Sequence, residues 1–242
     1  MKISVLGATG GTGQAIVKQA LENGHSVKAL VRRPEGLQVR HEKLEIIVGD
    51  ARDPDIIETL IRGQDAVICS LGVPATGTTK AEIDDSIRTD VCLVSTQLLF
   101  DAMPRHNVAR IVLMSTHGAG SSNDGSVYCN WLRELVKNRL YDKDDMEAFI
   151  AASNAQIKWT VIRNPAIYDG EKGRDYNVYT QITIDRSSKI TYLDLADFAV
   201  SELEEAQHVG QFLSITEPLD NKDFMASAEV APTLPRRVVD DK

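Results

Sequence analysis

Seven residues near the amino terminus, Gly7-Ala8-Thr9-Gly10-Gly11-Thr12-Gly13, join a short apolar run (Ile3 to Leu6) to a stretch with helical spacing (Ala15, Ile16, Gln19, Ala20, Leu21). The GxxGxxG spacing lets the chain turn sharply, lets backbone N–H groups approach a pyrophosphate, and lets the helix pack closely on the strand. The start of that helix adds free donors and about half a positive charge. Gly7, Thr9, Gly10, Gly11, Thr12 and Gly13 are therefore candidate ligands of a diphosphate. A glycine-rich turn alone is weak evidence; its place between strand and helix strengthens it.

The second strand ends in Val31-Arg32-Arg33-Pro34. An acidic residue there would suit a ribose 2′-OH, whereas an arginine fork offers charge-assisted hydrogen bonds to a 2′-phosphate. NADP(H) is accordingly the expected cofactor, with Arg32 ahead of Arg33 as its contact. Two solvated arginines are the bland alternative. Asp50, followed by Ala51, ends the third strand, where a short carboxylate would bond the adenine amino group or merely cap the turn. Leu71-Gly72 ends the fourth, where glycine would let the chain pass beneath the ribose.

These positions need a frame, and the hydrophobic pattern supplies one. Strands are expected at Ile3 to Leu6, Ser26 to Val31, Leu44 to Val48, Asp65 to Leu71, Ala109 to Ser115 and Lys158 to Arg163. Helices are expected between them: one after the glycine turn, one over Asp53 to Arg62 with Asp53 as cap and Pro54 at its first position, and two over Asp84 to Met103 and Trp131 to Ser153. Strands separated by helices imply right-handed crossovers and a doubly wound parallel sheet of Rossmann type. Residues 1–217 read as a single α/β domain. Its part from about residue 166 onward, with a strand at Asn177 to Ile184, a helix at Asp194 to Ala206 and a strand at Gln211 to Ile215, reads as a small C-terminal substrate cap. Residues 218–242, with Pro232 and Pro235, read as an extended or disordered tail.

Composition narrows the function classes. The 242 residues carry 27 Lys+Arg against 35 Asp+Glu, a net charge of −8, which argues against coating nucleic acid or an anionic membrane. Cys69, Cys92 and Cys129 have no paired spacing, so neither a disulfide scaffold nor a metal site is expected, and a reducing, cytoplasmic setting fits. No apolar run approaches the ~18 residues of a membrane span. The expected partner is a small-molecule substrate. No apolar stripe is left over after the core helices are assigned, which favours a monomer over a homodimer.

The segments GATGGTGQ, VRR, VGD, DAVICSLG, LMSTHGAG and WTVIRNPAIYDG, in that order, resemble the atypical short-chain dehydrogenases/reductases. The nearest branch is the NAD(P)H-binding, NmrA-like proteins, and within it the B-type biliverdin reductases, which are also flavin reductases. The resemblance covers about residues 1–215. It implies a Rossmann fold and NADPH-dependent hydride transfer to a flavin-like, quinone-like or other conjugated molecule, or redox sensing without turnover. A non-redox isomerase or cyclase on the same fold is the further alternative.

Ordinary members of that superfamily use a YxxxK pair, in which the lysine lowers the tyrosine pKa so that it exchanges protons near neutral pH. Tyr128 is followed four residues later by Leu132 and Tyr141 by Asp145, so neither fits. The resemblance aligns Lys143 and Glu147 with family positions and puts Arg139 where the tyrosine would stand. It makes Ser115 the superfamily serine, facing the nicotinamide beside Thr116, and sets the backbone of Asn164, Pro165, Ala166 and Ile167 against the carboxamide. Ser115, His117 and Lys143 are the candidate catalytic residues, His117 as a donor to a substrate carbonyl or carboxylate. The bland readings are a capping hydroxyl, an exposed loop histidine and a surface lysine. Tyr128, Trp131 and Tyr168 are candidate aromatic faces for a planar substrate.

Overall fold

The computed structural model describes residues 1–73, 81–86, 88–153, 156–173, 175–219 and 229–230. Strands β1 (Lys2–Leu6), β2 (Ser26–Val31), β3 (Leu44–Val48), β4 (Ala66–Cys69), β5 (Arg110–Thr116) and β6 (Lys158–Asn164) alternate with helices α1 (Gly11–Glu22), α2 (Pro54–Ile61), α3 (Val91–Arg105) and α4 (Val127–Ala152). After β6 come β7 (Ala166–Tyr168), β8 (Asn177–Gln181), β9 (Lys189–Thr191), α5 (Tyr192–Glu205), β10 (Gln211–Thr216) and β11 (Glu229–Val230). The main sheet runs β11-β8-β10-β6-β5-β4-β1-β2-β3. All its pairings from β3 to β10 are parallel, and β8 is antiparallel to both its neighbours.

A parallel sheet with helices on both faces must bury side chains on both. Strand β5 shows this residue by residue. Val112 and Met114 enter the core shared with α1 and α5, while Ile111 and Leu113 enter the opposite core, against α2, α3 and α4. The chain reverses the order of its strands between β1 and β4, and such a switch point is where open α/β sheets take ligands.

Three expectations need correction. The section after residue 166 is not a cap: β8 and β10 extend the main sheet and α5 packs on α1. Only β7 and β9 stand apart, as a two-stranded parallel sheet. Helix α3 begins at Val91 rather than Asp84, because the Asp142 carboxylate on α4 accepts the free N–H groups of Cys92 (3.0 Å) and Leu93 (2.9 Å) and so marks its first turn. Helix α4 begins four residues early, where Ser126 caps the Cys129 N–H, and breaks at Val136 (φ −134°, ψ 40°). From the expected tail, Glu229–Val230 adds a short strand at the sheet edge, while 220–228 and 231–242 lie outside the described residues.

Candidate functional site

The glycines of the first turn divide by what a side chain would meet. Gly7 sits at φ +77°, and a Cβ there would lie 2.4 Å from the Ser70 carbonyl oxygen. At Gly13 it would lie 2.0 Å from the Gly7 carbonyl oxygen, so α1 approaches the turn as closely as a missing side chain permits. At Gly10, by contrast, a Cβ would find only the Gly7 oxygen, at 3.6 Å, and otherwise open space. Helix α1 has no side-chain cap and no acid in its first turn. Its leading N–H groups are left for an external anion, and Gly10 to Gly13 form one wall of a cavity. These residues fit a dinucleotide diphosphate.

The cavity holds about 450 Å³ at the carboxyl edge of the sheet. Its other walls are the ends of β4 (Leu71, Gly72), β5 (Ser115, Thr116) and β6 (Asn164 to Ile167), together with one face of α4. Lys143 is no surface lysine. It is 8% exposed, and its Nζ donates to the Leu71 carbonyl (2.8 Å) and the Met114 carbonyl (2.7 Å), tying the ends of β4 and β5 together. Arg139, where the resemblance expects tyrosine, lines the cavity but is engaged from behind: Nη1 donates to Asp85 Oδ1 (2.7 Å) and Nη2 to the Asp84 carbonyl (2.8 Å). Asp85 also accepts the Asn138 N–H, at 2.8 Å, so that it caps the second half of α4 just after the break.

Ser115 Oγ donates to Glu147 Oε1 at 2.5 Å. The same carboxylate is held by Arg163, with Nη2 to Oε2 at 2.6 Å and Nε to Oε1 at 3.2 Å, and both side chains are under 5% exposed. Arg163 in turn lies over the Phe212 ring, 4.7 Å from its centroid. At the cavity mouth, the Arg186 guanidinium stands 4.5 Å over Trp131, which also packs near Tyr128. Burial pushes the Tyr128 phenol up, so it keeps its proton near neutral pH. Burial likewise raises the Cys92 thiol, on the cavity wall, to about 12.

His117 departs from its expected role. It is 1% exposed, stands off the cavity wall, and is tied through Nδ1 to Ser214 Oγ at 2.9 Å. Burial pushes its pKa down to about 4, with Arg163 acting in the same direction and Asp124 against it. The imidazole is thus neutral and inward-facing, because β10 and Tyr128 enclose the loop that carries it. Tyr168 also misses the wall and donates its hydroxyl to Glu217. Arg32 and Arg33 are exposed beyond β2, and Asp50 adopts the turn arrangement, accepting the Arg52 N–H (2.9 Å) and pairing with its guanidinium (2.9 Å). Hydrogen bonds from Arg52, with a contribution from Arg32, hold the Asp50 carboxyl at about 2. The sequence reading missed Tyr192, whose ring covers Gly11, and Arg186. No local pattern marks either, since both arrive from distant chain.

A family model described as NAD(P)H-binding matches residues 7–206. The chain belongs to the NAD(P)H-binding family. Within reach of it are two curated relatives. An uncharacterised Bacillus subtilis protein, YwnB, is 26% identical over 226 residues (86% of this chain, 93% of that one), and the oxidoreductase stcQ of Emericella nidulans is 25% identical over 211 residues (80% and 73%). Among solved structures, a proposed NADH-flavin reductase from Streptococcus pneumoniae superposes with a TM-score of 0.69 at 24% identity, over 90% of this chain and all of that one. The order of the strands and the glycine turn are thus those of an NAD(P)H-binding Rossmann protein.

Proposed function

We propose that the chain is an NADPH-dependent reductase that passes hydride to a flat conjugated acceptor, flavin-like or quinone-like. One observation carries the reading. The cavity adjoining the glycine turn offers aromatic and apolar wall, burial holds the Tyr128 phenol on that wall to its proton, and Arg139 stands where the resemblance expects the usual tyrosine. An acceptor whose reduction takes its proton from solvent suits such a wall. The dinucleotide, when bound, supplies the hydride.

The chain's own residues bind and orient. N–H groups at Gly11 to Gly13 take the diphosphate, close against Gly10, and Arg32, seconded by Arg33, takes the 2′-phosphate. Leu71 and Gly72 run beneath the ribose, and Asn164 to Ile167 offer backbone to the carboxamide. Lys143 holds this floor together by fixing the ends of β4 and β5. Trp131 and Tyr128 flank the acceptor. The oxidoreductase and flavin-reductase descriptions of the similar proteins support this direction.

The test is absorbance at 340 nm with NADPH or NADH and a panel of flavins and quinones. Oxidation of NADPH by at least one acceptor, faster than of NADH, is expected. Tight dinucleotide binding without oxidation by any acceptor would overturn the reading in favour of a sensor or a non-redox enzyme.

A further inference from the structure

The Ser115 hydroxyl has one proton, and the geometry commits it. The short bond to Glu147 Oε1 runs from hydroxyl to carboxylate, and such charge-assisted bonds are strong and directional. The carboxylate cannot turn away. Arg163 grips both its oxygens, and a Cβ on Gly120 would come within 2.1 Å of Glu147 Oε2, so the loop after β5 is closed over it. Ser115, Glu147 and Arg163 are all under 5% exposed, so the bond is shielded from bulk solvent. Ser115 nonetheless forms part of the cavity wall. A ligand group that reaches its oxygen from the cavity therefore meets lone pairs.

Resting on the proposed reductase reading, we infer that Ser115 is a specificity-determining hydrogen-bond acceptor, and that Glu147 is the positioning residue that sets its polarity. The ligand class this selects is one that turns an N–H or O–H donor toward the end of β5. A bare carbonyl at the same point would face two lone pairs with no proton between them, and a buried acceptor left unmatched keeps its full desolvation penalty. Simple ketones and aldehydes presented at Ser115 are thereby disfavoured.

The probe is a pair of near-equal size, 2-amino-1,4-naphthoquinone and 2-methyl-1,4-naphthoquinone, one carrying N–H donors where the other has a methyl. Binding to the dinucleotide-loaded protein is measured by calorimetry. The wild type is expected to prefer the amino compound about tenfold or more, in line with one matched bond. Ser115→Ala should bring the two within about threefold. Glu147→Gln, whose amide can donate to Ser115 and free its proton, should relax or reverse the preference. Equal binding by the wild type, a preference unchanged in Ser115→Ala, or binding of neither compound would overturn the inference. If Glu147→Gln does not fold, the Ser115→Ala ratio still decides. The same samples are assayed for dinucleotide oxidation. No turnover with a clear affinity ratio would defeat the reductase reading and leave the Ser115 assignment standing.

Discussion

Gly10 and Gly13 sit three residues apart and fail for different reasons. A methyl at Gly13 collides with backbone, so Gly13→Ala should lower the melting temperature and cost about 2 kcal/mol or more, by the usual penalty of overpacking. A methyl at Gly10 meets only the Gly7 oxygen, at an ordinary contact distance of 3.6 Å. Gly10→Ala should therefore melt within a degree or two of the wild type yet lose dinucleotide affinity at least tenfold in calorimetry. Equal losses of stability in the two variants would show that Gly10 serves the turn and not a ligand. Arg32→Glu should abolish any preference for NADPH over NADH in the same titration, since it sets an anion against the 2′-phosphate. His117 gives a pH signature. Its folded pKa, about 4, lies below the ordinary 6.5, so the unfolded chain binds the proton more readily. Stability from this group is complete above about 6.5 and drains away as pH falls to about 4, by roughly 3 kcal/mol in all. Urea titrations of His117→Asn across that window should show a flatter slope than the wild type.

At the scale of elements, what could be read in advance was what neighbours in sequence decide. Strands β2 and β3 match expectation at both ends, because their β-branched runs stop at local breakers. Helix α2 does too, with Asp53 accepting the Asp55 and Ile56 N–H groups and Pro54 at the first position. The start of α3 was illegible because its cap, Asp142, lies some fifty residues downstream. The three-residue strands β7 and β9 carry too little pattern to announce themselves. The site divides in the same way. Its glycine turn was legible from spacing and from its place between a strand and a helix, whereas the burial of His117 depends on Ser214 and that of Lys143 on two distant carbonyls. That second bond set makes a prediction about elements: Lys143→Met should loosen β4 from β5 at the floor of the cavity. Two charge-assisted bonds are lost, so destabilisation of about 2–4 kcal/mol is expected in denaturant melts, with weaker dinucleotide binding.

Across the whole molecule, the two edges of the sheet are built differently. The carboxyl edge holds the cavity; the amino edge is locked by a buried polar network. Glu202, fully buried, accepts from Arg110 Nη2 (2.8 Å), Thr160 Oγ1 (2.9 Å), and both the N–H and ring of His208 (3.1 and 2.8 Å). Burial alone would raise its pKa, but these donors outweigh it and hold the carboxyl below the ordinary value. The network joins α5 to β5 and β6. Glu202→Gln should cost about 3–5 kcal/mol by leaving Arg110 without its anion. Measured well below its melting point, that variant should keep the KM for its acceptor, since none of the four residues lines the cavity. A changed KM would mean that strain at one edge reaches the other.

The interruption at Val136 divides the labour along a single helix. Trp131, Leu132 and Leu135 ahead of it line the cavity, while Asp142 and Lys143 behind it, on the same wall, also hold the first turn of α3 and the ends of β4 and β5. Asp85 pins the rear portion at its first turn. Substitutions in the forward segment can thus reshape the cavity wall without removing the bonds that Asp85, Asp142 and Lys143 make behind the break.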